Sequence, residues 1–214
     1  MKMNNILKNC LGLTILGLSS CQVIPSALSE PSRFSELPLN QSKVIAIASP
    51  YGENKYNLLV VEQISSKKQC WAEKGQDPIE VVPLLTKFDF TGICSRATDS
   101  NGYSIRIAGE DYGLDVLLKV VHAENELVLV GVNRKTGEEI IVGRTKGYSP
   151  GGFFKIQLEP GWHFTKRAFK GKKLGHFYFS KNSNLEFSNV EPSTDPTTPA
   201  KPKTTKTTKT KSKN

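Results

Sequence analysis

Histidine is scarce in this 214-residue chain, with three copies, and so are tryptophan (two), methionine (two) and cysteine (four). His122, His163 and His176 form neither His-x-His nor His-Glu-x-x-His, the spacings that put two ligands on one face, so no metal and no cofactor is expected. A Gly-x-Ser-x-Gly elbow and a phosphate-binding glycine loop are both missing. A Ser/His/Asp site would have to be assembled from residues far apart in the chain. No apolar run reaches the roughly 20 residues that a helix needs to cross a bilayer. Gly (17) and Pro (12) together stay near background, which excludes collagen-like and low-complexity scaffolds. With 37% hydrophobic and 23% charged residues, what remains is one globular domain with appendages.

The formal charge is +9, from 29 basic and 20 acidic residues, and its location decides its meaning. Lys2 and Lys8 lie in the first segment, and six lysines lie in the last 24 residues beside only Glu191 and Asp195. Residues 22–190 keep 21 basic and 18 acidic side chains, a net charge of only +3. The basicity belongs largely to the tail, so a nucleic-acid partner is not expected for the domain.

Residues 1–21 have a short basic region and an apolar stretch from Leu11 to Leu18, the pattern of a secretory signal. Leu18-Ser19-Ser20-Cys21 resembles the bacterial lipobox, which predicts a lipoprotein-type signal peptide and lipidation at Cys21. Two acyl chains would hold the protein stably on a membrane. The expected location is therefore the cell envelope, lipid-anchored at the periplasmic face or the outer membrane. The alternative is ordinary cleavage near Ala27 and a soluble secreted or periplasmic protein. Export makes a disulfide between Cys70 and Cys94 the default pairing of the remaining domain cysteines, with two buried thiols as the alternative.

Residues 22–42, with Pro25, Pro31 and Pro38, read as a flexible spacer. From residue 43 onward, apolar runs of four to nine residues recur between turn signals. They are Val44–Ile47, Tyr56–Ile64, Tyr103–Ala108, Leu114–Val121, Leu127–Val132, Glu139–Val142, Phe153–Leu158, Trp162–Thr165 and Gly175–Ser180. The spacing predicts a mainly β domain over 43–185, an antiparallel sandwich or small barrel. At most one short helix is expected, near 78–86, where Asp77-Pro78-Ile79-Glu80 has the form of a capped start. Residues 186–214, rich in Pro, Thr and Lys, predict a disordered basic tail.

Gln69-Cys70-Trp71-Ala72-Glu73, Val82-Pro83-Leu84-Leu85, Phe88 to Cys94 (FDFTGIC) and Asp99 to Arg106 (DSNGYSIR) together resemble a family of exported cyanobacterial proteins built on a single domain of unknown function. Gly161-Trp162, Lys166-Arg167 and Leu174-Gly175-His176 are also similar to it. The resemblance spans roughly 44–180 and leaves Cys21 and the tail outside. It implies a location and a domain boundary, and carries no activity.

Two stretches hold the candidate ligand-binding residues. Asp99-Ser100-Asn101-Gly102 contains an Asp-x-Asn fragment of a calcium loop, but the rest of that motif is missing and Asn-Gly first signals a hairpin turn. Asp99 and Asn101 are kept as candidates. Trp162, Lys166 and Arg167 belong to a segment, 162–179, that interleaves aromatics with cations. Exposed, it would stack on sugars and meet anions; the alternation in Phe177-Tyr178-Phe179 favours a strand facing a core instead. Carboxylates at Asp89, Asp99, Glu110, Asp111 and Asp115 offer a glycan hydrolase its acid and base, though no spacing singles out a pair. The expected function is thus a non-catalytic envelope lipoprotein whose β-domain binds a surface polymer, such as peptidoglycan or acidic polysaccharide, or an envelope protein. The alternative is a cell-wall hydrolase using carboxylates in the 89–115 loops.

Overall fold

The computed structural model describes residues 33–183. The expected signal with Cys21, the first part of the spacer and the tail lie outside the described residues.

Strand-forming, β-branched and aromatic sequence dominates, and the described residues form fourteen strands. These are Ser35–Pro38 (β1), Val44–Tyr51 (β2), Lys55–Gln63 (β3), Trp71–Lys74 (β4), Glu80–Pro83 (β5), Cys94–Ala97 (β6) and Tyr103–Ile107 (β7). They continue with Glu110–Asp111 (β8), Val116–Ala123 (β9), Glu126–Asn133 (β10), Glu139–Arg144 (β11), Phe154–Leu158 (β12), Trp162–Phe169 (β13) and Lys172–Lys181 (β14). One sheet runs β1-β13-β14-β7-β8; the larger runs β6-β3-β2-β12-β11-β10-β9, with β4 and β5 attached beside β12. The fold is mainly β, as the spacing predicts. The larger sheet curls toward closure: His122 on β9 bonds the Asn54 carbonyl at 2.8 Å beside β3, and its ring meets Tyr56 edge-on.

The main core lies between the two sheets. Tyr103, Ile105, Ile107, Phe164, Phe177 and Phe179 enter it from the smaller sheet, and Ala46, Leu58, Val60, Leu129, Val142, Phe154 and Ile156 from the larger. The sheets approach closely where Gly131 lies: a β-carbon there would sit 2.5 Å from Ile105 Cδ1. Strand β2 is apolar along both faces because both are covered. Val44, Ala46 and Ala48 face the main core, while Ile45 and Ile47 join Val61, Cys70, Val81, Leu85 and Cys94 in a second core behind it. The chain between β3 and β6 forms that second layer, tied by the Cys70–Cys94 disulfide. By closing a loop of sequence separation 24, the bond contributes about 3 kcal/mol on the chain-entropy model.

Four features depart from the sequence expectation or narrow it. The spacer of 22–42 ends early, because Ser35–Pro38 pairs with β13 and Glu36 accepts hydrogen bonds from Thr165 (2.7 Å) and Ser180 (2.6 Å). No α-helix forms over 78–86. Val81 and Val82 instead extend as β5 against β4, burying Val81, and only one 3₁₀ turn follows, Leu85–Lys87. Packing of β-branched side chains outweighs the capping signal. The sheets are not wholly antiparallel: β14 runs parallel to β7, pairing Phe177 with Tyr103 through Lys181 with Ile107. The long excursion between them leaves β14 free to enter in that direction. Finally, the Asn101-Gly102 turn closes no hairpin; it carries the chain from β6 in the larger sheet to β7 in the smaller.

One ion cluster is built into the interior. Glu62 accepts from Lys166 (3.0 Å) and Lys173 (2.8 Å), and the Lys166 ammonium lies 3.0 Å from the centroid of the Phe177 ring. Lys166 is only 2% exposed. Burial pushes its ammonium down to about 8 despite the attraction of Glu62. Burial works the other way on the Glu62 carboxyl, but the two lysines outweigh it and hold that carboxyl below its ordinary value.

Candidate functional site

The outward face of the smaller sheet is polar yet buried. Along β7 the side chains alternate, Tyr103, Ile105 and Ile107 inward and Ser104 and Arg106 outward, and β14 places Phe177 and Phe179 inward and Tyr178 and Ser180 outward. The same alternation along β14 puts His176 on this face, next to a bulge. Lys166 pairs with Phe177 and Ala168 with Lys173, so Leu174, Gly175 and His176 oppose Arg167 alone. Beside these strands lies a cleft of about 550 Å³, whose lining includes Ser104, Asp111, His176, Arg167, Arg134 and Phe34.

Two hydrogen-bonded chains cross its floor. Asp111 on β8 is the hub of the first. Its Oδ2 accepts from Arg167 (2.7 Å) and from the Tyr178 hydroxyl (2.7 Å), and its Oδ1 accepts from the Gly113 amide (3.0 Å). Arg167 Nε in turn donates to Tyr178 at 2.6 Å, and the Arg167 guanidinium stacks on Phe34 at 4.8 Å. Burial would raise the Asp111 carboxyl, but these donors together with Ser104 outweigh it and hold the group below the usual carboxylate range. Tyr178 is pushed up to about 12 by burial and by Asp111.

The second chain runs from Ser104 through His176 to the Asn101 carbonyl. His176 Nδ1 lies 2.8 Å from Asn101 O, and because a carbonyl only accepts, Nδ1 carries the proton. In the neutral ring Nε2 is then bare and accepts from the Ser104 hydroxyl at 2.8 Å. Asp111 Oδ1 is a second, longer acceptor for that hydroxyl at 3.2 Å. Burial, with lesser contributions from Arg167 and Lys166, pushes His176 down, against the Asn101 carbonyl and Asp111, so the ring is neutral at pH 7. The Asn101 carbonyl is held by its turn. Asp99 Oδ1 accepts from the Asn101 amide (2.8 Å), Asp99 O accepts from the Gly102 amide (2.9 Å), and Gly102 O accepts from Phe177 N (2.8 Å). Gly102 also lies against β6, where an added β-carbon would stand 2.5 Å from Ala97 Cβ.

Of the sequence candidates, the structure brings Asn101 and Arg167 to the cleft. Asp99 stands in the adjoining turn as an acceptor for backbone amides. Trp162 packs in the main core, and Lys166 is the buried partner of Glu62. Reading the sequence for candidates misses Ser104, His176, Tyr178, Phe34 and Arg134. A detectable signal for three of them is that both 103–107 and 176–180 alternate polar and apolar residues, which leaves Ser104, His176 and Tyr178 off the core face. Phe34 and Arg134 reach the cleft by topology alone, from the segment before β1 and the turn after β10. The remaining loop carboxylates are scattered: Asp89 caps Thr91 at an exposed turn and Asp115 pairs with Lys135 at 2.9 Å. Among the described residues, no group of three or more His, Cys, Asp or Glu side chains is gathered that could hold a metal. No described helix is long and apolar enough to cross a membrane.

A family model described as a protein of unknown function (DUF3747) matches residues 10–184. The match is wider than the resemblance read from the sequence and takes in position 21. No curated protein and no solved structure matches the chain.

Proposed function

The chain belongs to this family of unknown function, and on that premise we propose that it is a lipid-anchored cell-envelope protein whose β-domain binds a surface polymer, such as peptidoglycan or an acidic polysaccharide, through the cleft beside β7, β8 and β14. The observation that carries the reading is the lining itself. Arg134 and Arg167, the ring of Phe34 and the polar edge of Asn101 and His176 surround a concavity of saccharide dimensions. Among the described lining residues Asp111 is the single carboxylate beside two guanidiniums, so the balance of charge favours an anion. A carboxylate hydrolase would need one carboxyl held protonated near neutral pH as its acid. Asp111 is drawn the opposite way by its donors, and so is Asp89 by Thr91. That favours binding over carboxylate-driven cleavage.

The test is sedimentation of the full-length protein, in detergent, with isolated sacculi at low and high salt. Binding that persists at high salt is expected, together with a loss of about tenfold in Arg134→Ala, the effect of one charge-assisted hydrogen bond. Binding that disappears with salt, or that is indifferent to Arg134, would place the contact on exposed charge away from the cleft and contradict the reading.

A further inference from the structure

We infer that Ser104 and His176 form a nucleophile and general-base pair that cleaves carboxylic esters admitted to the cleft. The inference goes beyond the binding reading and stands whether or not a wall polymer is the ligand. Three independent features converge on it. The nucleophile and base are in direct hydrogen-bond contact, 2.8 Å from Oγ to Nε2, with the ring nitrogen on the acceptor side bare. The base is oriented by a third group, the Asn101 carbonyl at 2.8 Å, which fixes the tautomer that such a base needs. Both side chains line the same cleft, beside the cations Arg134 and Arg167.

In the reaction, Ser104 Oγ attacks the ester carbonyl carbon while its proton passes to His176 Nε2. The carbon–oxygen bond to the alcohol then breaks, and the departing oxygen takes that proton, leaving an acyl-serine. Water adds next, giving a proton to Nε2 and returning it to Ser104 Oγ as the acid is released. The sum is ester plus water to acid plus alcohol, with no further reactant. The Asn101 carbonyl, accepting from Nδ1, stabilises the imidazolium formed in each half, and Asp111, 3.2 Å from Ser104, adds an attraction that Arg167 opposes. The groups facing the ring are Asp111 from β8, Arg167 from β13 and Tyr178 two residues along β14, whose ring meets it edge-on; Lys166 of β13 adds a coulombic contribution. The sequence contained no elbow motif to announce this pair. The parallel pairing of β14 with β7 brings two residues separated by 72 positions into contact.

The experiment treats the folded full-length protein with a fluorophosphonate probe and maps the adduct by peptide mass spectrometry. One adduct per chain at Ser104 is expected, formed at a rate that rises through a single titration below pH 6.5 and is level above it. His176→Ala, checked for folding by its melting curve, should label at least 100-fold more slowly, the lower end of what a general base supplies. No adduct at Ser104, or an adduct elsewhere, would overturn the proposal. So would a rate that tracks hydroxide across the whole range, which reads the base role without any variant. Loss of sacculus binding with Ser104 still labelled would fail the binding reading and leave this one intact.

Discussion

Glu62→Ala is expected to destabilise the domain by about 3–5 kcal/mol, measured by urea unfolding at pH 7, the scale on which removing one partner of a buried ion pair operates. Glu62 is the carboxylate that both Lys166 and Lys173 reach, and Lys166 lies against Phe177 in the interior. Lys173 has half its side chain in solvent and can turn outward; Lys166 cannot. The double variant Glu62→Leu/Lys166→Met removes both buried charges and should recover most of the loss. Equal instability in the single and double variants would show that side-chain shape, not the uncompensated charge, governs the site. The wild-type stability should also rise with pH from about 8 toward 10. With Lys166 pushed down to about 8 in the fold, the unfolded chain binds more protons across that window. Above pH 10 it should fall, since Tyr103 and Tyr178, both raised to about 12 in the fold, ionise first in the unfolded chain.

Asp111→Ala should cost about 3 kcal/mol, because it leaves Arg167 and the buried Tyr178 hydroxyl without the acceptor they share. Asp111→Asn keeps the size and one acceptor oxygen and should lose roughly half as much. The pH dependence follows from the lowered folded-state values of Asp111 and Glu62. Their stabilisation is complete above the ordinary carboxylate range, near pH 4–5, and is lost as pH falls through the lower folded values. Acid unfolding of Asp111→Ala should therefore be less steep than that of the wild type. An unchanged acid transition would mean that the Asp111 network contributes nothing to the folded state.

The strands from β9 to β14 were legible because each is a self-contained signal, an apolar run between turn residues, that tertiary packing merely had to accept. Leu127–Val132 and Phe153–Leu158 needed no partner to be recognised. The short helix that the sequence allows near 78–86 does not form, for the opposite reason. Asp77-Pro78-Ile79-Glu80 carries a local helix start, and only the second core, invisible in local sequence, makes Val81 more valuable extended. Lys166 shows the same limit in another form: its charge makes it a candidate for an external anion, whereas an acidic residue 104 positions earlier holds it inside. The site was partly legible. Arg167 and Asn101 drew attention by chemistry, but Ser104 and His176 are ordinary residues in alternating strands until a parallel pairing joins them. Such a pairing has no local signature.

Hydrogen-exchange mass spectrometry of the full-length protein with and without soluble wall fragments tests the central claim, that the cleft is where this domain meets its ligand. Protection gained in 100–114, at the Arg134 turn and across 167–178 is the predicted result. Protection confined to a second, shallower groove lined by Gln41, Gln157, Trp162 and His163, or to residues beyond 183, with the cleft segments unchanged, would contradict it.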